Sequence, residues 1–475
     1  MGLSIDASRA EYGPPDAVNR LGINVNHLTD GMRLHNAGQS LADALREMGV
    51  RWLRFPGGEK ADAYLWSSPP CEVPRPRCAR TGPGQAGDLF RRFLDLDGSS
   101  FASHTLGFDD FIALCHDVGA EPIVVVAYDS WRKEVPPGGS RPTREELLGN
   151  ACSWVRYANR TQGYGVRRWE IGNESYLDSY NGAVTASEYA RDIRVFADAM
   201  RKEDDSILIG ANGPNDAEAV GALDQESGAR WWRVVLSEAA EVIDFLSIHD
   251  YPCMQWMSYD RFLAGTHDFR SVIRNARNCL ELYCGGADAK RIEIAITETN
   301  SADWYGHPEN LGWPHINTIG HALVLFEMIA EHLLEPRLVC TLVWNTRWIY
   351  NDEPGSPQLW DALRSDNSPN PTGQIMKILG ERSADRVGRI PVAAPLGCYV
   401  AESADCRTFL LVNRDLHEHE VVVTNLVASD TPVVVETLQG NGPDDTCPAW
   451  SRRTTSCQPR ERFRLPAVSI TVVRT

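Results

Sequence analysis

Residues 167–174 of the chain spell RRWEIGNE, a short strand pattern that ends in polar residues. Seven other β-rich runs have the same form, and each is followed by a segment with the period of a helix. This alternation predicts parallel strands with helices packed against them. Eight units, with no Gly-rich phosphate turn after the first strand, favour an α/β fold of the (β/α)8 TIM barrel type over an open, doubly wound sheet. In chain order the runs are GINVNHL (22–28), RWLRFPGG (51–58), EPIVVVAYD (121–129), RRWEIGNE (167–174), ILIGANGP (207–214), DFLSIHDYP (244–252), RIEIAITETN (291–300) and RLVCTLVWN (337–345).

After residue 385 the pattern changes to short alternating strands that are separated by turn residues. Runs such as TFLLVNRD (408–415) and SITVVRT (469–475) are typical of a small β-sandwich. We therefore expect a catalytic barrel over 21–384 and an accessory C-terminal β-sandwich domain over 385–475. The N-terminal segment, 1–20, carries suitable alternation in LSIDASR and is predicted to add a strand to the sandwich.

The overall charge argues against several classes of partner. The 475 residues include 47 Lys and Arg against 64 Asp and Glu, which gives a formal net charge of -17. Such a charge disfavours nucleic acid or an anionic membrane as the main partner and favours a neutral ligand. No apolar run reaches the roughly 20 residues of a membrane span. The start, MGLSIDASRAEYG, lacks the basic and apolar parts of a signal peptide, which predicts a cytoplasmic protein.

The twelve cysteines leave secretion open as an alternative. Three pairs are close enough in sequence to bridge a loop or hairpin: Cys71 with Cys78, Cys398 with Cys406, and Cys447 with Cys457. Three other cysteines lie in apolar segments and are predicted to be buried thiols: Cys115, Cys279 and Cys340. No CxxC pair or Cys/His cluster has zinc spacing, and the strand ends supply no evident set of metal ligands. We predict neither a metal nor a cofactor.

Two isolated glutamates close apolar strands on opposite sides of the predicted barrel. Glu174 ends the fourth strand and Glu298 the seventh, and the active site of such a barrel lies at these carboxyl ends. In a retaining glycosidase two carboxyl groups about 5 to 5.5 Å apart cleave the bond: one attacks the anomeric carbon and the other protonates the leaving oxygen. We predict Glu298 as nucleophile and Glu174 as general acid/base. Arg54 and Tyr251 are expected to keep Glu298 ionised, and Asn173 to hold the acid.

Other side chains at the strand ends complete the predicted substrate site. They can donate or accept hydrogen bonds or stack on a sugar ring: His249, Asn300, Trp304 and Trp344. By contrast, alternation along the strands is expected to turn Glu170 and Glu293 away from the site and toward the helices, where they would have structural roles.

Four motifs carry a resemblance to a known family. LRFPGGEKADAYLW (53–66) is similar to its arginine, proline and double-glycine motif, and YGVRRWEIGNES (164–175) to its acid/base motif. SIHDYP (247–252) and ITETNSADWY (296–305) occupy the places of its sixth-strand and nucleophile motifs. The chain resembles the α-L-arabinofuranosidases of glycoside hydrolase family 51, in the wider clan A of retaining barrels. The resemblance implies a barrel with a β-sandwich, an exo-acting α-L-arabinofuranosidase with a carbohydrate substrate, and a homo-oligomer.

The chain departs from the family pattern at positions that would touch the sugar. The family has glutamate in place of Asn26, asparagine in place of Glu59, and tryptophan in place of Thr299. Exchanging a carboxylate and an amide changes which hydroxyls are satisfied, and an unpaired buried polar group costs about 1 to 3 kcal/mol. We include Asn26 and Glu59 among the predicted substrate-binding residues. A clan A glycosidase acting on a xyloside, galactoside, glucuronide or polysaccharide remains an alternative, and an inactive carbohydrate-binding barrel is a more distant one.

Overall fold

The computed structural model describes most of the chain, and one predicted site residue, Trp304, lies outside the described residues. The described ranges are 3–31, 38–80, 93–95, 99–135, 137–178, 182–252, 259–301, 317–347, 361–380, 385–404, 406–425, 429–457 and 460–474.

Eight parallel strands close into a barrel in chain order, and the last strand pairs with the first. The predicted closed barrel is therefore confirmed, and each barrel strand falls within one of the eight runs identified in the sequence, except that β3 begins one residue earlier, at Leu21. Up to the end of the barrel the strands are β1 (Leu3–Asp6), β2 (Glu11–Tyr12), β3 (Leu21–Asn24), β4 (Trp52–Phe55), β5 (Tyr64–Leu65), β6 (Arg77–Cys78), β7 (Glu121–Val126), β8 (Arg168–Ile171), β9 (Leu208–Gly213), β10 (Phe245–Asp250), β11 (Glu293–Thr299) and β12 (Leu338–Val343). Of these, β3, β4 and β7 to β12 form the barrel.

Helices alternate with the barrel strands. Thr143 and Thr185 each begin a helix with a reciprocal capping box, in which the threonine hydroxyl and a glutamate three residues later satisfy exposed backbone N–H groups. The helices are α1 (Leu41–Glu47), α2 (Phe108–Val118), α3 (Arg144–Val155), α4 (Ala186–Glu203), α5 (Trp231–Ala239), α6 (Tyr259–Ala264), α7 (Ser271–Tyr283), α8 (Gly286–Arg291), α9 (Ile319–Leu333) and α10 (Pro371–Leu379).

The barrel interior has an apolar floor beneath a polar layer. The floor is a cluster of six buried side chains that face inward from five strands: Trp52, Ile123, Phe245, Ala295, Cys340 and Leu342. Gly210 leaves space for the floor, because a Cβ at this position would lie 2.2 Å from the Phe245 ring. Above the floor, five strands contribute buried polar side chains that support the carboxyl end of the barrel, where the site lies: Asn24, Arg54, Glu170, Ser247 and Thr297.

The predicted orientation of Glu170 and Glu293 is wrong, because both glutamates face the barrel interior. Glu170 is fully buried and accepts two hydrogen bonds from Arg54 of β4. It is Trp169 that faces the helices, where its ring meets Trp154 of α3. Glu293 accepts a hydrogen bond of 3.0 Å from Arg168 across the barrel, at the end remote from the site. Its pairing is structural, as expected.

The C-terminal part of the chain forms two β-sheets around an apolar core, as predicted. Strand β1 pairs in parallel with β16, and β2 pairs with β13, so the N-terminal segment contributes a strand to each sheet. The seven-stranded sheet has the order β18-β17-β20-β15-β14-β13-β2, and the other has the order β1-β16-β19. The strands are β13 (Arg386–Arg389), β14 (Leu396–Glu402), β15 (Arg407–Asn413), β16 (His419–Thr424), β17 (Ser429–Gln439), β18 (Ala449–Cys457), β19 (Arg460–Leu465) and β20 (Ser469–Arg474).

Helix α9 joins the two parts of the molecule. Its described side chains are buried almost all the way round, which is typical of a helix with neighbours on every side. Glu327 of this helix lies 2.8 Å from the guanidinium of Arg414 in the sandwich, and the hydroxyl of Tyr399 donates to Glu331 at 3.1 Å. Buried charges are held by such pairing, so these contacts define how the sandwich docks on the barrel.

The cysteines bear on the expected compartment. Cys115, Cys279 and Cys340 are buried thiols, as predicted. The thiols of the two pairs 71/78 and 398/406 are free, as is that of Cys447, whereas the side chain of Cys457 lies outside the described residues.

Within the described ranges, we find no helix with the length and apolar character that crossing a membrane requires.

Candidate active site

Arg54 is the centre of the polar layer. It is fully buried on the inner face of β4. Its guanidinium donates to both oxygens of Glu170 (2.9 and 3.0 Å), to Glu298 Oε1 (2.8 Å), to Asn173 Oδ1 (2.7 Å) and to Asn24 Oδ1 (3.1 Å). Burial alone would lower the pKa of Arg54, but the charges of Glu170 and Glu298 outweigh it and raise the pKa. Arg54 is therefore a permanent cation that positions its neighbours.

A β-bulge turns Glu298 toward the same point. Along β10 and β11, Ile248 pairs with Ile296 but His249 pairs with Glu298, so Thr297 is the additional residue. Thr297 already faces the interior, and simple alternation would put Glu298 on the side of the helices. The bulge re-aims the side chain of Glu298 into the barrel, as bulges near active sites commonly do.

Glu298 is almost completely buried and both of its oxygens have donors. Oε1 accepts from Arg54, and Oε2 accepts from the hydroxyl of Tyr251 at 2.8 Å. These donors hold the carboxylate in one orientation and stabilise its negative charge. Glu298 thus has the surroundings of a fixed anion.

Glu174 has a different environment. It follows the end of β8 with a φ of 50°, a left-handed conformation that is uncommon for a residue with a Cβ. Its Oε1 lies 2.8 Å from His249 Nδ1. Burial alone would raise the pKa of Glu174, but the charge and hydrogen bond of His249 lower it. Burial alone would lower the pKa of His249, whereas the charges of Glu298 and Glu174 raise it. The two side chains therefore share one proton as a pair.

Glu174, His249 and Glu298 converge closely enough for joint chemistry. Each offers one atom, and these three atoms all lie within 4.8 Å of one another. The spacing suits the two carboxyl groups of a retaining glycosidase, which are about 5 to 5.5 Å apart. It would also suit metal ligands, although the strand ends were predicted to supply no such set. The guanidinium of Arg54 against Glu298 disfavours a cation at this place, because like charges repel in a buried site.

The double glycine after β4 lets the chain pass directly beside Glu298. Gly58 has a φ of 48°, and a Cβ there would lie 2.2 Å from the Trp344 ring and 3.0 Å from Glu298 Oε1. Lys60 follows, with its Nζ 4.9 Å from the centroid of Trp344. Burial lowers the pKa of Lys60 to about 8. The predicted Trp344 is therefore placed against the nucleophile candidate, together with a lysine that the sequence analysis did not single out.

Glu59 lies at the rim of the site and is accessible to solvent. The protein around it raises the pKa of Glu59 by removing it partly from water, and the charges of Lys133 and Lys60 oppose this rise. Lys133 is itself buried, 2.8 Å from Asp62 Oδ2 and 3.5 Å from Asp129 Oδ1. Glu59 thus lies within electrostatic reach of a buried charge cluster on the loops after the second and third barrel strands.

Asn26 and Asn300 are buried near the site, where they bind backbone groups. Asn26 donates to the carbonyl of Arg347 at 2.9 Å and accepts from the N–H of Leu28 at 3.2 Å. Asn300 donates to the carbonyl of Trp344 and accepts from the N–H of Ser301 at 2.7 Å. Both amides tie together the loops that leave the barrel strands.

The structure therefore brings together one compact group of the predicted residues: Arg54, Asn173, Glu174, His249, Tyr251, Glu298 and Trp344. Sequence reasoning missed the supporting Asn24 and Glu170. Both face the barrel interior like a residue next to them. Asn24 is paired with Arg54 in the register of β3 and β4, and Glu170 is two residues from Arg168 on the same strand. Following the alternation of inward and outward side chains from one strand to the next would have predicted both.

Known proteins resemble the chain in sequence. Residues 44–265 match the family model described as the alpha-L-arabinofuranosidase 1 domain. Over 294 residues the chain is 28% identical to an intracellular exo-α-(1→5)-L-arabinofuranosidase of Streptomyces lividans, which covers 58% of this chain and 40% of the relative. A protein of the same name from Acetivibrio thermocellus is 25% identical over 297 residues, which cover 59% of this chain and 50% of the relative. The matches thus span half or less of the length of these relatives.

A solved structure shares the whole fold. It is that of a thermostable GH51 α-L-arabinofuranosidase from Thermotoga petrophila RKU-1, with a TM-score of 0.68 at 18% identity, and the match covers 100% of this chain and 99% of that chain. At this identity the likeness shows the fold alone. Together, the family model, the sequence relatives and the fold confirm the predicted resemblance to the family 51 α-L-arabinofuranosidases and to glycoside hydrolases.

The pair of Glu174 and His249 predicts a pH-dependent contribution to stability. The pKa of Glu174 is lowered from 4.5 and that of His249 is raised from 6.5. The ion pair is therefore complete between pH 4.5 and pH 6.5. It is lost as the pH rises through the raised pKa of His249. Replacing His249 with glutamine should lower the free energy of unfolding by about 1 to 3 kcal/mol near pH 6 and by less near pH 9.

Denaturant unfolding at both pH values measures the difference. His116→Gln is the matched control, because this histidine is exposed and its loss should have a small effect that is the same at both pH values. An equal loss of stability for His249→Gln near pH 6 and pH 9 would show that the pair does not carry the charge described here.

Proposed function

We propose that this chain is a retaining glycoside hydrolase in which Glu298 is the nucleophile and Glu174 is first the acid and then the base. The observation that carries the proposal is the convergence of the two carboxyl groups, with an oxygen of each within 4.8 Å. Their surroundings differ in the way the two roles require. Glu298 is bound by a cation and a hydroxyl group, whereas Glu174 faces a histidine that can supply a proton.

In the first step, Glu298 attacks the anomeric carbon while the bond from that carbon to the leaving oxygen breaks. Glu174 gives the leaving oxygen the proton that it shares with His249. In the second step, a water molecule attacks the same carbon, its proton passes to Glu174, and the bond to Glu298 breaks. The sugar is released with its original anomeric configuration, and the proton is back on the pair of Glu174 and His249.

Arg54 can position the nucleophile without removing its reactivity. Its charge is shared between Glu298 and Glu170, and Glu170 takes two of the hydrogen bonds. Glu298 therefore keeps negative charge to stabilise the positive charge that develops on the sugar in the transition state. Tyr251 holds the second oxygen of Glu298 and limits the orientations from which it can attack.

For the substrate, we propose a terminal α-L-arabinofuranoside. The names of the sequence relatives support this choice, because both are called exo-α-(1→5)-L-arabinofuranosidases. They are also called intracellular, which supports the same location for this chain. The homo-oligomer implied by the resemblance is likewise a proposal, and light scattering of the purified protein tests it.

A second candidate is a clan A glycosidase that acts on a pyranoside or a polysaccharide. Glu59 favours it, since this rim carboxylate stands where the family has an amide. Asn26, which replaces a family carboxylate, is buried and bound to the backbone. Compared with the family, this chain therefore has its hydroxyl-accepting carboxylate in the loop after the second barrel strand, and not at the end of the first.

Removing either catalytic glutamate should reduce activity, and an added anion should distinguish their roles. Glu298→Ala and Glu174→Ala should each lower kcat/KM on the preferred aryl glycoside by about one hundred- to ten thousand-fold. The decrease in kcat/KM for Glu174→Ala should be smaller when the leaving group is good, because such a group needs no proton. With added azide, Glu298→Ala should form a glycosyl azide of inverted configuration and Glu174→Ala one of retained configuration.

A panel of aryl glycosides led by the α-L-arabinofuranoside, with product analysis by NMR, makes this measurement. Glu121→Ala is the matched control, because Glu121 is exposed at the opposite end of a barrel strand. A retained azide from Glu298→Ala and an inverted azide from Glu174→Ala would show that the two roles are assigned the wrong way round. Full activity of both variants would refute the mechanism, and a parent protein that cleaves no glycoside or polysaccharide would favour a binding role.

Changing Glu59 should alter sugar preference more than general activity. Glu59→Gln should lower kcat/KM on the preferred glycoside by about tenfold, because an amide cannot accept as strongly from a hydroxyl. Glu59→Asn introduces the family residue and should shift preference toward the arabinofuranoside. The same glycoside panel measures both effects, with Glu72→Gln, an exposed residue of the following loop, as the control. Unchanged ratios of kcat/KM across the panel would remove Glu59 from the substrate site.

A further inference from the structure

A second cleft lies between helix α10 and the C-terminal sandwich. Its volume is about 610 Å³, within the range of roughly 300 to 1,000 Å³ that is usual for small-molecule sites. We call it the Trp450 cleft. Its walls come from the loop after β12, from α10 and from strands β17, β18 and β20: Arg364, Gln374, Ile378, Glu436, Trp450 and Arg474.

Trp450 presents a large aromatic ring to solvent from an outer strand. It lies on β18, at the edge of the seven-stranded sheet, and 47% of its surface is exposed. Its indole Nε1 donates to Gln374 Oε1 at 3.1 Å, which holds the ring against α10. An exposed aromatic ring in a defined orientation can take up a flat apolar ligand surface at little entropic cost.

The rest of the Trp450 cleft combines an apolar base with charged side chains that are bound to other protein groups. Ile378 and Val472 are buried at its base. Of the charged residues on its walls, Arg474 lies 3.0 Å from Glu436, and Lys377 lies 3.3 Å from Glu47. The third cation of the walls, Arg364, donates to the backbone carbonyls of Pro369 and Thr446. All three cations are thus engaged by protein groups, which suits a neutral ligand with hydroxyl groups better than an anion.

The Trp450 cleft is connected to the candidate active site through the loop after β12. Backbone hydrogen bonds join Ala362 to Asn345 at 3.0 Å and Leu363 to Thr346 at 3.1 Å. The next residue, Arg364, lines the cleft and donates to the carbonyl of Thr446 in the sandwich. The segment that binds the chain just after Trp344 therefore also forms part of the cleft wall.

We propose that the Trp450 cleft is a second carbohydrate-binding site, which holds a stretch of neutral polysaccharide by stacking a sugar ring on Trp450. The polar side chains on its walls, Gln374 above all, would meet the hydroxyls at the edge of the ring. The choice of a carbohydrate as ligand rests on the proposed function. The cleft would raise the local concentration of polymer chains near the catalytic site.

Affinity electrophoresis through gels that contain arabinan, arabinoxylan, galactan or mixed-linkage glucan tests the proposal. All proteins carry Glu298→Gln, so that the polymer is not consumed. We expect at least one polysaccharide to retard the parent, and Trp450→Ala to raise its dissociation constant about tenfold. Gln374→Ala should act in the same direction. Leu282→Ala, at a residue of α7 that is 72% exposed, is the control and should leave retardation unchanged.

Three results would overturn the proposal. The first is that none of the polymers retards the parent, and the second is that Trp450→Ala has the same dissociation constant as the parent. The third is a smaller particle mass for Trp450→Ala in light scattering, which would make the cleft a contact between copies of the chain. Hydrolysis of aryl glycosides by the protein with Glu298 intact is measured separately. Its absence would count against the proposed function, whereas lost retardation alone concerns the Trp450 cleft.

Discussion

One buried cation constrains the upper half of the barrel. Arg54 has no contact with bulk water, and an unpaired guanidinium in such a place would be prohibitively unstable. Strands β3, β8 and β11 therefore each direct an oxygen toward it, from Asn24, Glu170 and Glu298. The bulge in β11 is a deviation from regular geometry that turns Glu298 toward Arg54.

This constraint also gives two chemically identical side chains different behaviour. Glu298 is held by Arg54 and Tyr251, so that its charge is stabilised in one orientation. Glu174 lies outside the direct hydrogen bonds of Arg54 and pairs with His249, which can carry a proton. Separation of two carboxyl groups by environment is how one site supplies a nucleophile and an acid at the same pH. The fold places them close together because both lie at carboxyl ends of barrel strands.

The sequence was sufficient to predict the elements that repeat and the residues that end them. All eight barrel strands were identified, since strand and helix periods alternate clearly, and polar residues such as Glu174 and His249 mark the strand ends. Departures from regular geometry were not predictable in this way. The bulge at Thr297 has no sequence signature of its own. The orientation of Glu170, by contrast, follows from alternation along β8, which puts Glu170 on the same face as Arg168. Strand β18 was missed because its exposed, mostly polar residues show no apolar alternation.

The stereochemical course of hydrolysis tests the central claim most directly, because it depends on the separation of the two carboxyl groups. Proton NMR during the first minutes of cleavage of the preferred glycoside shows which anomer is released before mutarotation mixes the two. With the oxygens of Glu174 and Glu298 within 4.8 Å, we predict that the first product has the configuration of the substrate. A first product of the opposite configuration would require a water molecule between the sugar and the second carboxylate, and would contradict the assignment of Glu298 as a nucleophile.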